Sequence, residues 1–410
     1  METTGTADIV VVGGGIAGSA LATVLAREGR DVLLLERETA YRDKVRGEFV
    51  ALWGVEEILR MGLMPAFRAA GGVDATRAVF YDETVHPAQA EAGSVPLDRL
   101  LPGIAGALDV GHPEACEALI EAAAAAGARV VRGTGRTEVT PGTPPAVRYT
   151  GPEGDPHAVV CGLVVGADGR QSAVRRAAGI ELEVGAARTM GGGMLVDGLD
   201  AWAAGTLALG TEGDLHYLVF PRADGRARLY LMHDVRDRGR FTGPDRARAF
   251  LAAYQLDCIP DSAMFGAARP AGPCVFYPMT DSWTTTDPVA PGVVLVGDAA
   301  GWNDPVIGQG LSIALRDART VAELVLAEED LAPYVAERRE RMRRLRVSAA
   351  VVTDISCTFT PEGAARRVAF GAQAADPVLG GARMAVQVGP DRLPAEAFAP
   401  RTVERIRALT

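Results

Sequence analysis

Apolar residues fall into two rhythms along this chain. Short unbroken apolar runs stand at 8–12 (DIVVV), Val32–Leu35, Val159–Val165 and 293–296. Such runs predict strands buried on both faces. Between the first two, Ile16, Ala20, Leu21, Val24 and Leu25 recur at helical spacing, so strand–helix–strand is predicted over residues 7–38. A further helix is predicted from Gly308 onward, with Leu311, Leu315, Ala318, Val321 and Val325 as its apolar positions, and another over HPEACEALIEAAAAAGA from His112. The middle of the chain alternates instead. TMGGGMLVDGL (189–199), LHYLVFPRADGRARLYLMHD (215–234) and ARPAGPCVFYPMT (268–280) predict strands, with a hairpin turn at Ala223-Asp224-Gly225. Alternation places Leu218 with Phe220 and Tyr230 with Met232 on recurring faces. Residues 350–410 read as helices broken by Gly and Pro, which either cover the middle region or support a dimer. In ERRERMRRLR (337–346) acids and arginines alternate, which predicts a solvated helix face.

Composition narrows the class. With 410 residues and 48% hydrophobic residues, the chain has material for two lobes or three. A net charge of −10 argues against nonspecific nucleic-acid binding. The five cysteines are scattered without a CxxC, so neither a zinc site nor a disulfide framework is expected. No run of about 18 apolar residues predicts a membrane span. No basic, cleavable leader is visible, and the expected location is the cytoplasm.

Candidate chemistry sits where strands end. Gly13, Gly15 and Gly18 form GxGxxG between the first strand and its helix, with Ala17 inside the motif. Gly13 serves the tight turn, Gly15 the approach of a pyrophosphate, and Gly18 the close packing of helix on strand. The helix N-terminus offers free N–H groups to phosphate. Glu36, followed by Arg37, closes the second strand, where a carboxylate accepts bonds from a ribose diol. This predicts dinucleotide binding without separating FAD from NAD. Asp168-Gly169, with Ser172 and Arg175 behind it, and Gly297-Asp298 end two further strands. Taken singly, each of these dipeptides reads equally well as a turn.

Taken in order, GxGxxG, DGxxSxxR and GDAA…P…GQG resemble the single-component flavoprotein monooxygenases of the para-hydroxybenzoate hydroxylase type, over about residues 7–325. The resemblance implies an α/β fold: a discontinuous Rossmann-like FAD-binding domain (1–75, 105–185 and 285–330), an inserted, mainly β substrate domain (76–104 and 186–284) and a C-terminal helical region (331–410). It implies Glu36 on the adenosine ribose, Asp168 near the pyrophosphate and the passing nicotinamide, and Asp298 on the ribityl chain. Pro305 and Gly308 would bend the chain across the isoalloxazine. Gly308, Gly310 and Leu311 would open a helix whose N-terminus faces the flavin pyrimidine. Arg46 would either meet the FAD phosphates or form a surface ion pair. Gly301 and Ser312 depart from the His and Asn common in relatives. Trp302 either packs near the ring or closes a contact between lobes.

The implied activity uses FAD, with NADPH or NADH as a transient reductant, and O2. It hydroxylates an aromatic or polycyclic small molecule through a flavin C4a-hydroperoxide. Substrate candidates are Tyr217, Phe220, Tyr230, Met232, Phe276, Tyr277 and Trp302. His216 or His233 would take a phenolic proton, or either is an ordinary structural histidine, and His112 caps a helix or touches the cofactor. The protein would be a monomer or homodimer without a metal. The RGE at 46–48 also resembles flavin-dependent halogenases and geranylgeranyl-type reductases. The WxWxIP motif of the halogenases is missing, and Arg77 stands in a region that offers no lysine. A flavin-dependent reductase, a halogenase-like enzyme and a non-catalytic flavin carrier remain the alternatives.

Overall fold

The computed structural model describes residues 5–409. Its first sheet is built on the short apolar runs. Gly5–Val12 pairs in parallel with Val32–Glu36 on one side and with Pro156–Gly166 on the other. Arg129–Arg132 and Val293–Leu295 extend the sheet in parallel at either end. Ile16–Arg27, Gly310–Leu326 and His112–Ala125 are helices whose apolar residues share one core with these strands. Because the strands are parallel, Val12, Glu36, Gly166 and Leu295 all end along one edge. The turns after them converge there, as ligand-binding turns do in open α/β sheets.

The second sheet is mainly antiparallel, in the order Arg269–Pro270, Thr189–Asp197, Arg226–Asp234, Leu215–Pro221, Thr206–Glu212, Arg77–Phe80, Val95–Pro96. The hairpin falls where the sequence puts it, with Asp224 at φ 59° and Gly225 at φ 64°, the left-handed pair a tight two-residue turn needs. Register sets the faces. His216 opposes Met232, Leu218 opposes Tyr230 and Phe220 opposes Arg228, so these six share one face. Tyr217, Val219, Leu229 and Leu231 fill the other face, packed with Phe250 and Tyr254 of the neighbouring helical segment.

Several expectations shift. The helix expected from Gly308 begins at Gly310, because Pro305–Ile307 is a separate 3-10 turn ended by left-handed Gly308. Val73–Ala75, just before the substrate domain, forms a small sheet with Phe49–Val50 and Ala107–Asp109. Only one side of the 337–346 run is solvated, with Arg339, Glu340 and Arg343 exposed. It lies within the helix Ala332–Ser356, whose 3.6-residue period turns Arg338, Arg341, Met342 and Leu345 inward. Arg338 and Arg341 are 6% and 3% exposed, and both grip the buried carboxylate of Asp317 on the 310–326 helix. The acid that pays for their burial comes from another helix, so a local reading of alternating charge misses it.

Candidate functional site

One continuous cleft of ≈ 1720 Å³ runs from the glycine turn after the first strand to the C-terminal helices. At its nucleotide end the three motif glycines do different work. Gly13 has φ +107°, and a Cβ there would lie 2.4 Å from the Ala167 carbonyl oxygen. A Cβ on Gly18 would meet the Gly13 carbonyl oxygen at 1.9 Å, so Gly18 is spent on packing. A Cβ on Gly15 meets nothing within 4 Å and points into open cleft. The helix that Gly15 starts has no side-chain cap, which leaves its N–H groups for a ligand. Ala17 lines the cleft beside it. Glu36 lines the cleft too, braced because its carboxylate accepts from Gly14 N at 2.6 Å and Glu38 N at 2.7 Å. Arg37 stands at the rim, paired with Glu38. Arg46 forms no side-chain ion pair among the described residues. It lines the cleft with its guanidinium 5.9 Å from the Tyr277 ring. His112 faces the same space as the first residue of its helix, and burial lowers its pKa.

Asp168 borders the cleft, but its carboxylate is occupied. It accepts from the Ser172 hydroxyl at 2.5 Å and from the N–H groups of Ala173 and Val174, holding the start of the short helix Ala173–Ala177. Asp298 is paired with Arg170 at 3.1 Å, and the Arg170 guanidinium lies 5.0 Å over the Trp302 ring. The Trp302 indole N–H donates to the Thr280 carbonyl, and the residue also lines the cleft.

At the opposite wall Pro305, Gly308, Gly310 and Leu311 line the cleft. Gly308 sits at φ +63°, and nothing lies within 4 Å of a Cβ on Gly310. The 310–326 helix again starts without a side-chain cap. Gln309 does not cap it, because its amide donates to the Ile307 carbonyl and accepts from the Trp53 indole. Ser312 accepts from Ala51 N at 3.2 Å. Two uncapped helix N-termini therefore face one cleft, a donor set suited to the pyrophosphate and pyrimidine oxygens of FAD. Beneath this wall lies a support that sequence reading missed. Arg338 donates to the carbonyls of Ala300 (2.8 Å), Gly301 (3.0 Å) and Gly297 (3.2 Å) while bonded to Asp317 at 2.9 Å.

The substrate candidates divide by strand register. His216, Phe220, Tyr230, Met232 and Tyr277 line the cleft. Phe220 stacks on Phe49 at 5.4 Å and meets Tyr230 edge-on at 5.8 Å. Tyr217, His233 and Phe276 do not reach it. Tyr217 is wholly buried on the far face and donates to the Tyr81 carbonyl, while His233 and Phe276 pack with Phe241. With side chains alternating along a strand, Tyr217 and His233 cannot share a face with Leu218 and Met232. His216 reaches the cleft, but burial pulls its pKa down to about 4. Thr211 donates its hydroxyl hydrogen to the Ser356 carbonyl, so it accepts from His216 Nδ1, and Nε2 keeps the lone pair. Sequence reading also missed a buried charge group beside the cleft: Glu48 pairs with Arg222 and Arg228, next to Asp109, whose two carboxyl oxygens have no hydrogen-bond partner. Burial raises the pKa of both acids.

A family described as an FAD binding domain matches residues 6–348. The ubiquinone hydroxylase UbiL of Rhodospirillum rubrum is 28% identical, with 89% of this chain and 86% of that protein covered. The squalene epoxidase ERG1 of Candida albicans is 34% identical over 80 residues, 19% of this chain and 16% of that protein, so the chain spans a small part of that relative's length. Among solved structures, a flavoprotein/dehydrogenase from Cytophaga hutchinsonii superposes with TM-score 0.76 at 18% identity, covering 93% and 92% of the two chains. OxyS anhydrotetracycline hydroxylase from Streptomyces rimosus gives 0.71 at 21% identity, covering 95% and 77%. At these identities the two structures share the fold. The family match spans most of the chain, and with it the chain belongs to the FAD-binding family of the group A flavin monooxygenases.

Proposed function

We propose that this protein uses NAD(P)H and O2 to hydroxylate an aromatic or polycyclic small molecule. The carrying observation is the single cleft, which joins two uncapped helix N-termini to an apolar, aromatic-lined sheet face. FAD, when bound, supplies hydride acceptance from the nicotinamide and the activation of dioxygen. The balance is RH + O2 + NAD(P)H + H⁺ giving ROH + H2O + NAD(P)⁺.

The chain's own residues bind and orient. Gly13, Gly15 and the 16–27 helix start take the pyrophosphate, Glu36 the adenosine ribose, and Arg46 a phosphate. Asp298, paired here with Arg170, would hold the ribityl hydroxyls. Pro305, Gly308, Gly310 and Leu311 carry the ring edge, with the helix dipole favouring negative charge at the pyrimidine. Phe49, Phe220, Tyr230, Met232 and Tyr277 hold the substrate and keep water out. UbiL and OxyS, each named as a hydroxylase, support this reading. The chain's one lysine, Lys44, lines the cleft beside Arg37, paired with Glu38 at 3.4 Å, so the substrate sheet carries no lysine of the kind the halogenase resemblance would require.

The test is anaerobic reduction of the holoprotein by NADH and by NADPH, then mixing with oxygen and a panel of polycyclic phenols. Bleaching of the flavin by a nicotinamide and an oxygenated product support the proposal. Firmly bound FAD that neither nucleotide reduces would overturn it in favour of a partner-reduced enzyme.

A further inference from the structure

The helices Pro361–Gly371 and Gly381–Val388 wall the cleft where the substrate sheet ends. From the second of them Arg383 reaches over Phe80, its Cζ 3.9 Å from the ring centroid, with the Phe370 centroid 6.0 Å away. Among the described residues no side-chain hydrogen bond or ion pair reaches this guanidinium. Asp82, the acid that acts on it electrostatically, is held by Arg367 at 2.9 Å. Burial pulls the pKa of Arg383 down to about 10, so it stays charged at neutral pH. Several other inward-facing arginines, Arg222, Arg228, Arg338 and Arg341, each hold a carboxylate, while the buried Arg175 rests on the carbonyls of Ala299 and Arg170.

A cation left unpaired in a largely apolar chamber is costly unless something else neutralises it. Two acceptors stand with it. Gln387, one helical turn on, has a buried Oε1 without a partner. His216 keeps its Nε2 lone pair and feels the charge of Arg383. From Phe220, near the flavin wall, to His216 is four residues along one strand, about 13 Å. Several fused rings fit that length.

Building on the proposed hydroxylase reading, we infer that the substrate carries an ionised oxygen at its end far from the flavin, a carboxylate or an acidic phenol or enol, and that Arg383 holds it. Arg383 sets specificity by charge and, by fixing that end, decides which ring carbon lies at the flavin.

The holoprotein is titrated with anthraquinone-2-carboxylate, 2-hydroxyanthraquinone and the neutral 2-(hydroxymethyl)anthraquinone, with binding read from the flavin's visible spectrum. The carboxylate is expected to bind more tightly than the neutral alcohol. Arg383→Gln should weaken it about 10- to 100-fold, the worth of a charge-assisted hydrogen bond, and leave the alcohol unchanged. Arg383→Lys should recover part of the loss, and flavin content and melting temperature report that each variant is folded. If the hydroxyanthraquinone tightens as pH rises through its own pKa, the phenolate is accepted as well; if only the carboxylate responds to Arg383, the site takes carboxylates. Alcohol and carboxylate binding alike in both proteins overturns the inference and leaves the chamber reading standing. No binding by any of the three overturns both.

Discussion

At the residue scale, the glycine motif separates folding from binding. Gly15→Val should fold and melt like the parent, because nothing stands within 4 Å of its Cβ, yet it should weaken FAD at least about 10-fold by filling the phosphate's space. Gly18→Ala should do the reverse and lower the melting temperature, because its methyl would collide with the Gly13 carbonyl. Flavin content and thermal melts on the two variants check both. His216 gives a second residue-scale expectation. With its pKa at about 4, removing a proton from an ordinary phenol near pH 10 would be uphill by about 8 kcal/mol, so it accepts a hydrogen bond rather than a proton. His216→Gln should therefore change substrate affinity without moving any step in the pH profile of turnover between pH 6 and 8. A lost limb in that range would show a basic role.

At the scale of elements, the joint between the 310–326 and 332–356 helices matters most. Arg338→Met would leave Asp317 half-paired and three carbonyls of the flavin-facing loop without their donor. Breaking a buried pair costs about 3–5 kcal/mol, so a large drop in the denaturation midpoint is expected, together with looser flavin. The same pair sets a pH limit. Arg338 and Arg341 hold Asp317 below the usual carboxylate range, against the opposing push of burial. A lowered folded pKa means the stabilisation is complete above the unfolded value of about 4 and is lost as pH falls through the folded one. Unfolding midpoints measured from pH 6 down to pH 3 should fall most steeply at the acid end, and Asp317→Asn should flatten that fall. This joint also shows where sequence reading stops. The strand–helix–strand, the hairpin and the apolar stripe of the 310–326 helix were legible because each rests on local periodicity. The inward arginines were not, since their partner is fixed only when two helices pack. Tyr217 and His233 were misplaced for a smaller reason: register, not residue type, decides which face of a strand meets the cleft.

At the scale of the whole molecule, the cleft runs between the first sheet and the second. FAD at 100 times its dissociation constant should stabilise the fold by about 2.7 kcal/mol, read as a rise in melting temperature over the stripped protein. No helix among the described residues is long and apolar enough to cross a membrane. The family was readable from the order and spacing of the motifs from GxGxxG to GQG, but the contribution of residues 351–387 to the cleft was not, because those helices carry no motif and acquire a role only by where they dock.

That docking divides the labour along the chain. The turns proposed to take the flavin fall between Gly13 and Leu311, while Arg383, Gln387 and Phe370 come from the last eighth. None of those three belongs to a cofactor motif. A lineage descending from this chain could therefore change its diet by rewriting two short helices near its end, with the redox engine inherited intact.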